Sequence, residues 1–182
     1  MAKYISMLRG INVSGHKRIL MKDLKLLFEN LGFEQVTTYI QSGNVIFSSS
    51  KELTELQFEQ LITSAIAEKY GFHVPVIIRS VDDLRKVTES NPYITQNSID
   101  LERLYVTFLS DAPTKASVDK IVATVFLPEK FQIIGREVYL YCPLGYGESK
   151  LPNTFFEKKL KVQATTRNWN TVNKLLELSG TI

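Results

Sequence analysis

The sequence predicts an α+β protein built from two ferredoxin-like βαββαβ units with antiparallel sheets, followed by a C-terminal helix. Two observations carry this expectation. Short β-rich runs and stretches with helical apolar spacing follow one another in the order βαββαβ, and the same order begins again after residue 102. In each half the two middle runs are close together, separated by a glycine-containing turn at Gly43 or Gly135, as in a hairpin.

The elements follow in chain order. Tyr4 to Leu8 reads as a strand, and after a glycine-containing loop Leu24, Leu27, Phe28 and Leu31 keep helical spacing within Met21 to Leu31, closed by Gly32. Val36 to Ile40 and Val45 to Ser48 form the first hairpin. Thr54 to Tyr70 is an amphipathic helix closed by Gly71, and Val74 to Arg79 is the fourth strand. A short helix, Val81 to Ser90, and a loop containing Asn91-Pro92 lead into the second half. There Leu104 to Leu109 is a strand, Thr114 to Val125 a helix, Phe131 to Ile134 and Glu137 to Tyr141 a hairpin, Thr154 to Leu160 a helix and Val162 to Thr165 a short strand. Trp169 to Leu178 is the last helix. The expected division is therefore 1–80 for the first unit, 81–102 for a helix and linker, and 103–182 for the second unit with its terminal helix. The halves share element order without a residue repeat, and two packed half-domains or one joined sheet both satisfy it.

Composition bounds the chemistry. With 182 residues, 44% of them hydrophobic, the chain has the material for a core without disulfides, and disorder is excluded. One cysteine, Cys142, and two histidines cannot complete a Cys/His zinc site, and no metal or cofactor is expected. The longest apolar runs fall far short of a membrane span, so a cytoplasmic protein without membrane contact is expected.

Net charge is only +3, but it is unevenly placed. Arg9 to Lys25 and Lys150 to Arg167 each hold five basic residues against one acid, leaving the remainder acidic. Gly10 and Gly15 in the first island resemble the start of a phosphate-cradling P-loop. The match fails because His16, Lys17 and Arg18, rather than Lys and Ser or Thr, follow the second glycine. A flexible, basic, anion-holding loop remains. Gln41-Ser42-Gly43-Asn44 places amide and hydroxyl groups at the strand junction. Asn168 is suited to cap the last helix, whose N-terminus beside Arg167 is a place where anions bind. Tyr141 to Lys150 is a glycine-rich aromatic loop of the kind that closes over ligands or merely connects. Cys142 reads as an inert thiol and His73 as a strand-edge residue.

LRGINVSG near the start, YIQSGNV after the first helix, GREVYL with the following loop and SKL, and TTRNWNTVNKL near the end together resemble the bacterial family known as domain of unknown function sixteen ninety-seven. The resemblance runs from Tyr4 to Leu176. It implies two ferredoxin-like halves and brings no established activity. Its pattern marks Arg9, Gly10, Asn12, Gln41, Ser42, Gly43, Asn44, Lys150, Arg167, Asn168 and Trp169, mostly polar residues or glycine at element ends. Glu148 stands where the family often has a basic residue, and Ser14 where it usually has a second glycine.

Three functions compete. In the first, Arg9, Asn12, Ser42, Asn44, Lys150, Arg167 and Asn168 converge on a polar pocket between the halves for a small anionic, phosphate-bearing ligand. In the second, the sheets bind single-stranded nucleic acid through the basic islands and tyrosines such as Tyr4, Tyr39, Tyr105, Tyr139 and Tyr141, although the RNA-recognition signature is absent. In the third, an exposed strand edge or the terminal helix serves protein interaction or assembly.

Overall fold

Alternating and continuous apolar runs become two sheets. The computed structural model describes residues 1–180. In the first half β1 (Ala2–Leu8), α1 (Met21–Asn30), β2 (Glu34–Tyr39), β3 (Asn44–Ser49), α2 (Glu55–Tyr70) and β4 (Val76–Ser80) form a four-stranded sheet of order β2-β3-β1-β4. All its pairings are antiparallel. After α3 (Val81–Glu89), β5 (Leu104–Leu109), α4 (Lys115–Val122), β6 (Lys130–Ile134), β7 (Glu137–Tyr141), α5 (Asn153–Leu160) and β8 (Ala164–Asn168) repeat it as β6-β7-β5-β8, again antiparallel, and α6 (Trp169–Leu178) follows. Both halves are thus ferredoxin-like, as the sequence predicts.

The helix boundaries have local causes. Thr54 caps α2 with a reciprocal box, its hydroxyl accepting from the Gln57 amide while the Gln57 side chain accepts from the Thr54 amide. Gly71 closes that helix in the left-handed conformation that a side chain disfavours. α4 is shorter than its apolar pattern suggests, ending at Val122 rather than Val125, because the chain turns toward Pro128 and the start of β6.

Each unit has its own core. In the first, Phe28, Phe33, Phe47 and Phe58 pack with Tyr4 at ring separations between 4.4 and 5.8 Å, and Leu24, Ile62, Ile66 and Ile78 fill the space around them. Each fully buried ring contributes about 1.5–3 kcal/mol. The second core joins Leu109, Val138, Leu140, Phe156 and Leu160, with Phe126, Phe131 and Phe155 in edge-to-face contact at its margin. One unit comprises Met1–Arg85 with residues 174–180, and the other Lys86–Asn173, so both divisions fall inside helices, α3 and α6.

Candidate functional site

In the first unit, the connection from β1 to α1 is built around one asparagine. Asn12 has a positive φ of 55°, tolerated by asparagine better than by most residues. Its Oδ1 accepts from the Ile19 amide, and its Nδ2 donates to the carbonyls of Ile19 and Gln41, each at 2.9 Å. One side chain therefore closes its own loop and ties that loop to the turn between β2 and β3. The Asn12 amide also donates to the Lys17 carbonyl, the His16 amide to the Val13 carbonyl, and the Lys17 ammonium to the His73 carbonyl at 2.7 Å.

The turn between β2 and β3 is fixed from its other side. Asn44, completely buried, donates from Nδ2 to the Tyr39 carbonyl and to Ser42 Oγ. Gly43, whose amide donates to the Ile40 carbonyl, has φ +80° and a backbone so close to the β1–α1 loop that a Cβ would lie 2.6 Å from Ile11 Cδ1 and 2.9 Å from Leu8 Cβ. Its carbonyl accepts from the Leu8 amide at 2.8 Å. The structure thus brings Asn12, Ser42 and Asn44 into one braced assembly, and Arg9 opens it, half-buried, with its amide on the Pro75 carbonyl.

Within the braced loop Gly10, Asn12, Ser14, Gly15 and Lys17 all have positive φ. Gly10, Ser14, Gly15, His16, Lys17 and Arg18 are exposed. The loop therefore combines a repeatedly left-handed backbone with a basic surface.

The remaining predicted site residues lie in the second unit. Lys150 is exposed, and its amide donates to Glu129 Oε1 at 3.0 Å while the neighbouring Ser149 hydroxyl donates to Glu129 Oε2 at 2.8 Å. The glycine-rich loop is fastened further along by the Tyr146 hydroxyl, 2.9 Å from Thr166 Oγ1, which also lies 2.6 Å from Thr107 Oγ1 and from Asn153 Oδ1. Glu129, Tyr146 and Thr166 escape a reading by motif, because each is an ordinary residue type whose role exists only in the folded unit.

Arg167 directly precedes the cap of the last helix, as expected, but the last strand extends past Thr165 to include it. The last strand begins at Ala164 and runs on to Asn168, so Arg167 is a strand residue, 7% exposed, donating to Thr165 Oγ1 and the Thr166 carbonyl. Burial lowers its pKa to about 10, since the charged form loses hydration. Asn168 does cap α6, its Oδ1 accepting from the Thr171 amide at 2.8 Å. The first unit carries the same device: buried Arg79 near the end of β4 donates to the Ile78 carbonyl, and Ser80 then caps α3 through the Asp83 amide. Arg79 stands opposite Ile5 of β1 and Arg167 opposite Val106 of β5, equivalent positions in the two sheets.

Cys142 is a buried free thiol whose pKa burial pushes up to about 11, against the usual thiol range, so its nucleophilic form is suppressed. The tyrosines named for base stacking are mostly engaged. Tyr4 lies against Phe47 and Phe58, Tyr105 against Tyr146, and Tyr139 is buried with its hydroxyl on the Val87 carbonyl. Among the described residues no group of acidic, histidine and cysteine side chains could hold a metal ion, and no helix is long and apolar enough to cross a membrane.

The family model described as "Protein of unknown function (DUF1697)" matches residues 1–139, including the Arg9–Asn12 and Gln41–Asn44 segments. The chain belongs to this family. No curated protein matches this DUF1697 chain. Among solved structures it is similar to the conserved bacterial protein SP0830 from Streptococcus pneumoniae, at 24% identity over 98% of both chains with a TM-score of 0.72. At that identity the likeness establishes the shared fold.

Proposed function

We propose that the β1–α1 loop of the first unit binds a small anionic, phosphate-bearing ligand. The observation that carries this reading is the run of left-handed residues, Gly10, Asn12, Ser14, Gly15 and Lys17, in a loop held by the Asn12 side chain and flanked by Arg9, His16, Lys17 and Arg18. An amide nest alternates left-handed residues with residues of negative φ so that successive N–H groups converge on an anion, and residues 10 to 14 alternate in that sense, with positive φ at Gly10, Asn12 and Ser14. Pre-bracing matters because a loop already ordered loses little entropy on binding. Arg9 supplies the charge at the loop's start, while Asn12, Ser42 and Asn44 hold the loop in shape. In the second unit buried Arg167 and the capping Asn168 brace β8 and the start of α6.

Calorimetric titration at low salt with inorganic phosphate, pyrophosphate and a nucleoside monophosphate tests the reading. Arg9→Met should weaken binding about 10–100-fold, the worth of one charge-assisted hydrogen bond. Lys22→Met, on the solvated face of α1, should leave it unchanged. Absence of binding by the unmodified protein to all three compounds at low salt contradicts the proposal.

A further inference from the structure

Four strands lie at sheet edges: β2 and β4 in the first unit, β6 and β8 in the second. An edge strand offers unpaired backbone groups to any other strand, and three of these edges are blunted. On β4 the outward amides of Ile78 and Ser80 donate to Glu59 and Glu55, two carboxylates one turn apart on α2. On β8 the Ala164 amide donates to Glu157 of α5. β2 carries a bulge, with Gln35 at φ 51° and its register broken between Glu34 and Thr37.

β6 has none of these devices. Its register with β7 is unbroken from Lys130 to Ile134. The Leu109 amide on the Arg136 carbonyl and the Cys142 amide on the Arg103 carbonyl set the alternation, turning residues 136, 138, 140 and 142 toward β5. Residues 137, 139 and 141 therefore bond to 134, 132 and 130, which leaves the N–H and C=O of Phe131 and Ile133 facing outward. No described residue accepts from either amide. Just before this strand Val125 and Leu127 are 77% and 69% exposed, an apolar surface beside the open edge.

We infer that β6 pairs antiparallel with β6 of a second copy of this chain, about a two-fold axis at Gln132, joining the two second-unit sheets into one. The strand is its own complement in that register. Phe131 of each copy exchanges both backbone hydrogen bonds with Ile133 of the other, and exposed Ile134 lies opposite the aliphatic stem of Lys130. Arg136 falls opposite Pro128, next to Glu129, so opposite charges meet at both ends of the ribbon. Closed two-fold pairing satisfies both edges at once and stops there. This association is independent of the anion-binding reading.

Gln132 is exposed and faces its own copy across the axis, which makes the test clean. Sedimentation velocity from about 5 to 500 μM should give a concentration-dependent dimer, as for interfaces below the standard size. Gln132→Glu and Gln132→Lys should each weaken it about tenfold or more by placing like charges opposite one another, and an equimolar mixture of the two should restore it. Circular dichroism of each variant confirms the fold. A strict monomer at the highest concentration overturns the inference, as does a dimer that either variant leaves at the strength of the unmodified protein.

Discussion

Replacing Gly43 by alanine tests how tightly the turn between β2 and β3 seats the β1–α1 loop. Two costs add. Alanine in the left-handed region costs about 1–2 kcal/mol, and the new Cβ at 2.6 Å from Ile11 Cδ1 and 2.9 Å from Leu8 Cβ overpacks a buried site, which costs about 1–3 kcal/mol more. The loss of backbone freedom in the unfolded chain returns about 0.4–1 kcal/mol. Gly10 supplies the control, because its φ is +68° and a Cβ there meets nothing within 4 Å. Urea unfolding followed by circular dichroism should therefore place Gly43→Ala below Gly10→Ala by about 1–3 kcal/mol, the packing cost alone. Ile11→Val removes the closest atom and should recover part of that difference in a double-mutant cycle. If Gly43→Ala and Gly10→Ala lose equal stability, the close seating of the two loops is wrong.

Asn12→Ala deletes one accepted and two donated hydrogen bonds and puts alanine at φ 55°. It should cost about 2–4 kcal/mol by urea unfolding. Glu59→Ala leaves the Ile78 amide without its acceptor, whereas Glu59→Gln keeps a neutral one; the alanine variant should unfold at lower urea by about 1–3 kcal/mol, with the glutamine variant between. Cys142 should resist a thiol reagent at pH 8 in the native protein and react at once in urea. Its pKa is raised in the folded state, so between pH 9 and about 11 the native protein holds a proton that the unfolded chain has lost, and stability falls as pH rises through that window. Cys142→Ala should show a shallower fall over the same window in parallel denaturation curves.

Much of the fold is legible because periodicity and punctuation agree. Trp169 to Leu178 is a helix in both sequence and structure, and Gly71, a glycine after an apolar-periodic stretch, closes α2 as such a residue should. The last strand is harder. Ala164 to Asn168 has neither alternation nor β-branched apolar bulk on both faces, so its extent past Thr165 is set by pairing with β5 rather than by local preference. That extension makes Arg167, next to the cap of α6, a buried strand residue as well. It also hides the internal repetition, since Ile78-Arg79-Ser80-Val81 and Thr166-Arg167-Asn168-Trp169 share little beyond the arginine, and only the sheet register shows them to be equivalent.

At the site, Asn12, Ser42 and Asn44 are visible as polar residues beside glycines, the composition of turns. Their partners are not, because Asn12 reaches the Gln41 carbonyl 29 residues away and that contact depends on the two loops being brought side by side. Ser149 illustrates the same limit: its hydroxyl meets Glu129 across 20 residues of chain that no motif links.

In the proposed site a braced loop with repeated left-handed residues offers backbone amides and Arg9 to an anion. Amide-resolved NMR during titration with pyrophosphate at low salt tests it most directly. Saturable shifts should concentrate in Gly10 to Arg18 and at the Arg9 guanidinium, and should be lost in Asn12→Ala while the amides of β5 to β8 keep their native positions. Shifts spread evenly over the exposed lysines of both units, or none at all, would contradict it.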